Sequence, residues 1–240
     1  MTAATAVEMR ASASLAEWRD DRGNRVLAPA GLLGALAPMF KGRDCTLEVD
    51  AGARLANVAV EFRGSNAHCR IGAAGPAGPA GSFSALIRLG EDSRVEVGAG
   101  VTTTTRAFLS ASEGTRLVLG EDCMLASEVQ LRTDDAHPIF DVHTGLRINP
   151  AEDIVIGAHV WLAYGVRCLG GARIGDGSVI GMGSIVTGRI PNNCIAVGSP
   201  ARVVRRDVAW ERPHLAIDPP AYKPDAASVR RSAYWHPTRD

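Results

Sequence analysis

A six-residue repeat runs without insertion from Ile156 to Ile190 and reads IGAHVW, LAYGVR, CLGGAR, IGDGSV, IGMGSI and VTGRI. The first position of every unit is apolar, and the fifth is small or β-branched. A period of six fits neither an α-helix, with about 3.6 residues per turn, nor one long alternating strand. It indicates short strands joined by tight turns and stacked in coils, because no single unit can bury its own apolar residue. The sequence therefore predicts a parallel β-helix.

Less regular six-residue units extend the repeat toward the N-terminus. One frame is shared by Leu89, Val95, Val101, Ala107, Leu119, Leu125 and Leu131, and Glu113 alone breaks it. We predict the β-helix over residues 44–197, a short helical or irregular cap over residues 1–43, and an extended tail over residues 198–240.

Local signals refine the ends of this plan. Ser14-Leu15-Ala16-Glu17 is a capping-box sequence, so we expect a helix over residues 14–22. Residues 28–41 are consistent with a second helical turn or an irregular cap over the first coil. The Gly-, Ala- and Pro-rich run over residues 72–82 predicts a loop that interrupts one coil.

Composition excludes several classes of function. The 26 basic residues balance the 26 acidic ones, so charge gives no case for binding to nucleic acid or to a membrane surface. The apolar run Val26–Phe40 is short and broken by two prolines, and residues 1–23 lack a secretory apolar core, so we expect no membrane insertion. The five cysteines are odd in number and form no CxxC pair, which predicts reduced thiols and a cytoplasmic protein.

The polar segment over residues 133–153 interrupts the repeat. Leu131 and Ile156 are 25 positions apart, where 24 would keep the register. The segment contains two prolines and two histidines and lacks the repeat pattern. Because loops held by a rigid scaffold often carry function, we expect the chemistry here.

Four pieces of the chain resemble the left-handed β-helix (hexapeptide-repeat) acyltransferase family. They are Asp135-Ala-His137-Pro138, Ile156-Gly-x-x-Val-Trp161-Leu, GSVIGMGSIVT at 177–187, and Ile190-Pro191 through Gly198-Ser-Pro200-Ala-Arg202-Val-Val-Arg205. Together they cover about residues 133–206 and are most similar to the O-acetyltransferase branch, which includes galactoside, maltose and capsular or lipopolysaccharide acetyltransferases. The resemblance implies an all-β fold, a left-handed parallel β-helix, and a homotrimer with active sites between subunits.

The resemblance also implies a reaction. In this family an acceptor hydroxyl attacks the thioester of acetyl-CoA directly, and a histidine followed by proline acts as the general base, here His137. A base needs an orienting partner, and Asp135 is our candidate, with Asp134 and Asp141 as rivals. The implied acceptor is a saccharide hydroxyl.

Further site residues follow from the matched motifs. Trp161 would lie beside the thioester and the acceptor, and a backbone N–H near Ala163 would stabilise the oxyanion. The coenzyme A positions map to Ala163, Gly181, Met182 and Thr187, with Arg202 and Arg205 near the phosphates. The family often has lysine after the Val-Thr pair, where this chain has Gly188 followed by Arg189.

Other interpretations stay open at this point. An amino-sugar N-acetyltransferase or an antibiotic acetyltransferase is the near alternative, and a non-catalytic β-helix scaffold is an alternative of another class. A γ-class carbonic anhydrase would need three convergent histidines, but His137, His143 and His159 lack the required spacing, so we expect no metal. His143 is a candidate for acceptor binding, and His159 is expected at the surface.

Overall fold

The computed structural model of the protein describes residues 15–36, 38–75 and 81–240. Within them lie three sheets, named A, B and C, whose strands are numbered in chain order. Sheet A contains β1 (Leu15–Arg19), β2 (Arg25–Pro29), β4 (Thr46–Val49), β6 (His68–Ile71), β8 (Arg94–Val97), β11 (Arg116–Leu119), β14 (Ile154–Ile156), β17 (Arg173–Ile174) and β20 (Arg189–Ile190). Sheet B contains β3 (Met39–Phe40), β5 (Leu55–Phe62), β7 (Phe83–Leu89), β10 (Ala107–Ala111), β13 (Gln130–Arg132), β16 (Arg167–Leu169) and β19 (Ile185–Val186). Sheet C contains β9 (Thr102–Thr103), β12 (Met124–Leu125), β15 (Trp161–Leu162), β18 (Val179–Ile180), β21 (Ile195–Gly198) and β22 (Ala201–Arg205).

The chain visits sheets A, C and B in turn and then starts the next coil. In the strong repeat, Ile156 pairs with Ile174 in sheet A, and Leu162 pairs with Ile180 in sheet C. Each partner lies 18 positions further along the chain, so one coil contains three six-residue units. The pairing is parallel except for β1 with β2 and β21 with β22. This arrangement confirms the predicted parallel β-helix.

The apolar first positions of the repeat form the core. All of them are buried, from Ile156 through Val186, and so are the small or β-branched fifth positions. Stacking of equivalent residues in successive coils removes each one from water, which stabilises the fold by about 1.5–3 kcal/mol for a fully buried Leu or Ile side chain. The weaker frame from Leu89 to Leu131 is buried in the same way.

The corner between sheets A and C is built from residues with left-handed backbone. Five of them stack in a column: Gly100, Asp122, His159, Gly177 and Asn193, with φ between 52° and 73°. Each amide N–H of the column donates to a carbonyl of the preceding coil, as His159 does to Glu121 at 2.7 Å. Asn, Asp and His are the non-glycine residues that adopt this conformation most readily, which explains the residue types at this corner.

The N-terminal region differs from the prediction. Leu15–Arg19 is a strand that pairs antiparallel with Arg25–Pro29, so the expected helix over residues 14–22 is wrong, although Ser14 itself lies outside the described residues. The cause is local, because the carboxylate of Asp20 accepts the backbone N–H groups of Arg22 and Asn24 at 2.9 Å and closes a hairpin turn instead of capping a helix.

A short helix follows the hairpin. This helix, α1 (Ala30–Leu36), lies within the block where a helical turn or irregular cap was expected, and its Leu32 and Leu36 join the core. Parallel pairing already begins at β2 and β3, upstream of residue 44. The division into cap, β-helix and tail stays a prediction, and residues 76–80 of the expected loop lie outside the described part.

After β22 the tail carries one 3₁₀ helix, Ala226–Ser228, and no further strand in the described residues up to 240. It packs along the corner between sheets A and C, where Asn193 donates to the carbonyl oxygens of Val208 and Tyr234 at 2.9 and 2.6 Å. Among the residues that the structure describes, no helix has the length and apolar character needed to cross a membrane.

Candidate active site

The polar segment over residues 133–153 is inserted at the corner between sheets B and A. It leaves β13 and re-enters the coil at β14. Leu131 of β13 pairs with Cys168, which lies 37 positions later, whereas paired residues are 22 positions apart in the coil before it and 18 apart in the strong repeat after it. The inserted segment therefore projects from a coil whose register is otherwise intact.

The tip of the inserted segment is a small hairpin. Phe140 and Arg147 form an isolated antiparallel bridge. At the tip, Asp141 Oδ1 accepts the backbone N–H groups of His143 and Thr144 at 2.9 and 2.7 Å, and these hydrogen bonds hold the pKa of Asp141 below its usual range. Because this carboxylate closes the turn, Asp141 is not a free orienting partner for His137. His143 is exposed at the tip.

Glu113 anchors the base of the inserted segment. Its carboxylate accepts a hydrogen bond from Arg147 Nη2 at 2.8 Å and one from the Ala151 N–H at 3.2 Å. The bond from Arg147, more than any other contact, lowers the pKa of Glu113. Glu113 is the residue that breaks the weaker repeat frame, so its misfit in the sequence marks an anchoring role that sequence reasoning missed.

Asn149 holds the chain on both sides of His137. Its Oδ1 accepts the Ile139 N–H at 2.7 Å, and its Nδ2 donates to the His137 carbonyl oxygen at 2.9 Å and to Asp135 Oδ2 at 3.0 Å. Sequence reasoning missed Asn149 as well. The only signal was an Asn-Pro pair with Pro150, which marks a turn and gives no hint of its partners.

His137 is exposed, and the residue before it is strained. Ala136 has φ of 65°, a conformation that costs an alanine about 1–2 kcal/mol, and its N–H donates to Asp134 Oδ2 at 2.8 Å. Strain of this kind is often found at functional positions. Within the part of the chain that the structure describes, the His137 ring has no hydrogen-bond partner, so Asp135 is connected to His137 only through Asn149.

Trp161 lies in sheet C, away from the inserted segment of its own chain. It is half-buried, with Met124 and Val179 as its partners on the neighbouring strands. Its ring lies 5.9 Å from the ring of Trp210 at an angle of 45°. The structure of one chain therefore does not bring His137 and Trp161 together, because they occupy different corners of the prism.

Comparison with known proteins identifies the family. No protein-family model matches the chain. The crystal structure of the polySia specific acetyltransferase NeuO superimposes with a TM-score of 0.64 at 34% identity, covering 73% of this chain and 78% of that one. The chain belongs to the left-handed β-helix acyltransferase family. The polysialic acid O-acetyltransferase OatWY shares the fold, with a TM-score of 0.62 at 24% identity over 72% of this chain and 80% of its own.

Curated relatives point to the same branch of the acyltransferase family. The polysialic acid O-acetyltransferase of Escherichia coli O1:K1 is 37% identical over 111 residues, which is 46% of this chain and 36% of that protein. The enzyme of the same name from Neisseria meningitidis is 40% identical over 70 residues, which is 29% of this chain and 33% of that protein. The chain thus matches about a third of the length of these relatives. The predicted O-acetyltransferase branch and the left-handed β-helix are confirmed.

The positions expected to bind coenzyme A in this acyltransferase-family chain fall into two groups. Ala163, Gly181 and the exposed Met182 lie together at the corner between sheets C and B, and Thr187 lies beyond the far end of β19. The Ala163 N–H donates to the Ile180 carbonyl oxygen at 3.0 Å, so that amide is not a free oxyanion donor.

The two predicted arginines lie on the last strand of sheet C. Arg202 pairs with Val197, and Arg205 pairs with Ile195, so the two lie toward opposite ends of β22. Both side chains are exposed. Within residues 15–36, 38–75 and 81–240, no three His, Cys, Asp or Glu side chains are grouped as a metal site would require.

His159 corrects the expectation of a surface residue. Its side chain is 2% exposed, and its ring stacks between Trp210 and Tyr234 with centroid distances of 4.1 and 4.7 Å. The tail, which the repeat pattern does not describe, provides both aromatic rings. The repeat placed His159 correctly on the outside of the coil, but the tail covers this position.

Proposed function

We propose that the protein is an acetyl-CoA-dependent O-acetyltransferase that acts on a saccharide hydroxyl. One observation carries the proposal: an exposed His137, followed by Pro138, on a segment inserted into a fold that shares 34% identity with the polySia specific acetyltransferase NeuO. An imidazole titrates near neutral pH and is therefore suited to take a proton from a hydroxyl group.

The proposed reaction is a direct transfer. His137 removes the proton of the acceptor hydroxyl while its oxygen attacks the thioester carbonyl carbon. Collapse of the tetrahedral intermediate breaks the carbon–sulfur bond, and the thiolate of coenzyme A takes up the proton from His137. All five cysteines are buried, which supports a mechanism without an acyl-cysteine intermediate.

Asp135 acts on His137 through the backbone in this proposal. Asn149 links the Asp135 carboxylate to the His137 carbonyl oxygen, so both residues hold the segment from which the imidazole projects. Coenzyme A would lie along the corner that carries Ala163, Gly181 and Met182, a corner with small residues and an exposed surface.

Exposed arginines would supply the positive charges that bind the phosphate groups of coenzyme A. Arg202 and Arg205 would pair with the phosphate oxygens, because guanidinium groups match phosphate geometry. Thr187 would contact the coenzyme from the end of sheet B. The exposed Arg189 stands next to Gly188, where relatives often have a lysine, and we assign it the missing positive charge.

We assign each active site to two chains of a homotrimer. In one chain His137 and Trp161 lie at different corners, and a neighbouring copy would supply the missing half of the site. The inserted segment exposes apolar side chains that a neighbouring copy would cover: Ile139, Phe140, Val142, Leu146 and Ile148. Contiguous exposed apolar groups of this kind mark interaction surfaces.

An acidic polysaccharide is the first acceptor to test. The relatives named above act on polysialic acid according to their names, and the outer face of sheet B next to the inserted segment offers cations. There the guanidinium groups of Arg88 and Arg132 lie 5.2 and 5.7 Å from the ring of Phe108. A cytoplasmic location stays a prediction.

The test of the reaction is an assay of thiol release from acetyl-CoA with a panel of acidic and neutral oligosaccharides. We expect His137→Ala to lower kcat by about 10²–10⁴-fold, the usual contribution of a general base. His214→Ala, which removes another exposed histidine outside the inserted segment, is the control and should retain wild-type kcat. Wild-type turnover in His137→Ala would refute the assignment of the base.

Mixing two inactive variants tests the shared site. If His137 and Trp161 come from different chains, randomly assembled trimers of His137→Ala and Trp161→Ala contain a complete site in about a quarter of positions. We therefore expect co-expression to restore about a quarter of wild-type activity. No recovery, together with a monomer in analytical ultracentrifugation, would show that the site belongs to one chain.

A further inference from the structure

The C-terminal tail covers the left-handed corner column next to Trp161. Arg212 donates through Nε to Asp122 Oδ1 at 2.7 Å and through Nη1 to Thr102 Oγ1 at 2.9 Å. Trp210 donates through its indole N–H to the His159 carbonyl oxygen at 2.8 Å. The tail is thus fixed to three successive coils by directed hydrogen bonds.

His159 is the centre of this contact. Its Nδ1 lies 2.6 Å from Asp122 Oδ2, and its Nε2 lies 3.0 Å from the Trp210 carbonyl oxygen. A carbonyl oxygen and an ionised carboxylate can both accept hydrogen bonds, but neither can donate one. Burial alone would raise the pKa of Asp122, but the hydrogen bond from His159 and the charge of Arg212 outweigh it, so the pKa is lowered.

Two acceptors require two donors. A neutral imidazole has one N–H and one lone pair, so one of the two short contacts would place a lone pair against an oxygen. The doubly protonated ring satisfies both contacts. It also suits its neighbours, because Trp210 and Tyr234 present their π faces to it, and aromatic faces attract cations.

Tyr234, Glu121, Arg212 and Asp176 are the other titratable or charged groups near His159, and Asp176 Oδ1 accepts the Ala158 N–H at 2.7 Å. Tyr234 donates its hydroxyl proton to Glu121 Oε1 at 2.8 Å, and burial followed by this bond raises the pKa of Tyr234, so its hydroxyl stays neutral. Arg212 shares Asp122 with His159. The His159 ring therefore has a carboxylate at one nitrogen, a carbonyl oxygen at the other, and a neutral ring on each face.

Trp210 connects this cluster to the proposed site. Trp210 is 8% exposed, its ring stacks on that of His159, and the same ring lies 5.9 Å from the ring of Trp161. Trp161 is two positions after His159 and is only half-buried. The tail therefore limits the orientations open to the Trp161 indole, because Trp210 occupies the space beside it.

We propose that Trp210 is a positioning residue for Trp161, and that a doubly protonated His159 holds Trp210 in place. The inference rests on the proposed function, in which Trp161 contacts the thioester and the acceptor. It adds the C-terminal tail to the active site, as the part that fixes the indole for the transition state.

The first experiment determines by NMR whether both ring nitrogens of His159 are protonated. In protein labelled with ¹⁵N at histidine, the ring nitrogens of His159 should both carry protons at pH 7.5. His159→Asn identifies this signal among the six histidines, and asparagine suits the left-handed backbone because Asn193 occupies the same column. A single protonated nitrogen on His159 would overturn the assignment of the cation.

The second experiment separates positioning from folding. We expect Trp210→Ala to lower kcat by about 10- to 100-fold, the scale of a small misplacement of a site residue, while the KM for acetyl-CoA changes by less than about twofold. Trp210→Phe keeps a stacking ring and should recover most of the activity. Circular dichroism and thermal unfolding show whether each variant is folded.

A matched variant controls for damage to the tail. Tyr222 is also an aromatic residue of the tail, but it is 87% exposed and lies twelve positions from both Trp210 and Tyr234 in the sequence. Tyr222→Ala should keep kcat within about twofold of wild type, as expected for an exposed residue outside the cluster. An equal loss in Tyr222→Ala would assign the effect to general loosening of the tail and overturn the proposal.

Trp161→Ala distinguishes the two proposals. If Trp161→Ala loses turnover and Trp210→Ala keeps it, the positioning role is wrong and the proposed function stands. If Trp161→Ala keeps turnover, Trp161 is not at the site and the positioning role is wrong with it. If the wild-type protein releases no thiol with any acceptor, both proposals are wrong.

Discussion

Replacing Asn149 with aspartate tests how the inserted segment holds His137. The change keeps the shape of the side chain and the acceptor for the Ile139 N–H at 2.7 Å. It removes the two N–H donors that bond the His137 carbonyl oxygen and Asp135 Oδ2. It also places a second negative charge 3.0 Å from the Asp135 carboxylate, where the structure now has a hydrogen bond.

The size of the effect follows from these contacts. Each lost hydrogen bond is worth about 0.5–1.5 kcal/mol, and repulsion between two exposed carboxylates adds about 1 kcal/mol in water. Both bonds are exposed, so water replaces part of what is lost, and we take the lower half of the summed range, about 2–3 kcal/mol. Since about 1.4 kcal/mol is a factor of ten, we expect kcat/KM to fall by roughly 30- to 150-fold.

Thiol release from acetyl-CoA at varied acceptor concentration measures this loss. Asn57→Asp is the control, because it makes the same charge change at an exposed position on β5, outside the inserted segment. Thermal unfolding should be nearly the same for both variants, since Asn149 is only half-buried and lies on the inserted segment, outside the hydrophobic core. Wild-type kcat/KM in Asn149→Asp, or an equal fall in Asn57→Asp, would show that Asn149 does not position His137.

Three further predictions concern the scaffold. Gly120→Ala should lower the free energy of unfolding by about 2 kcal/mol or more in urea denaturation, because a Cβ there meets the backbone carbon of Gly157 at 2.5 Å, whereas Gly188→Ala faces open space and should be nearly neutral. The pKa of Asp122 is lowered in the folded protein, so its ionised carboxylate stabilises the fold above the ordinary carboxyl pKa. This stabilisation is lost as the pH falls through the lowered pKa. Thermal unfolding measured from pH 6 to pH 3 should therefore show a smaller acid-induced loss of stability in Asp122→Asn than in wild type. Burial raises the pKa of Cys123 and Cys168 to about 12, so these thiols should resist a disulfide reagent at pH 8 until the protein is unfolded, and fast labelling of the native protein would contradict their burial.

The repeat made most of the scaffold predictable. A strict period of six leaves few ways to bury one apolar residue per unit, and Ile156, Leu162 and Cys168 lie inward as that argument requires. The helix expected over residues 14–22 failed for a physical reason. A capping box states only a local preference, and the hairpin closed by Asp20 and the pairing of β2 with β4 outweighed it.

The inserted segment was located but its interior was not predictable. Its conformation depends on contacts between residues far apart in sequence, such as Glu113 with Arg147 and Asp135 with Asn149. No periodic pattern encodes such pairs. The same limit applies to Asp135 and His137, where a two-residue spacing suggested direct contact and the structure shows Asn149 between the carboxylate and the His137 backbone.

Two corner columns show why the docked tail was hidden from sequence reasoning. Asp44, Asn66 and Asp92 have positive φ and exposed side chains at one corner, whereas Asp122 and Asn193 have the same backbone at the corner that the tail covers. The residue types agree because the backbone conformation selects them, whatever lies above.

His159 is the largest residue in its corner column, and its presence there was a sequence signal for the docked tail. A histidine is bulkier than the Asp, Asn and Gly residues in equivalent positions, and its ring must extend over the corner. The chain has only seven Trp and Tyr residues, and four of them, Trp210, Tyr222, Tyr234 and Trp235, lie in the tail. A single histidine on a left-handed corner, together with an aromatic tail in an aromatic-poor chain, is the combination that predicts a docked segment, because stacking on the ring offsets the cost of placing it there.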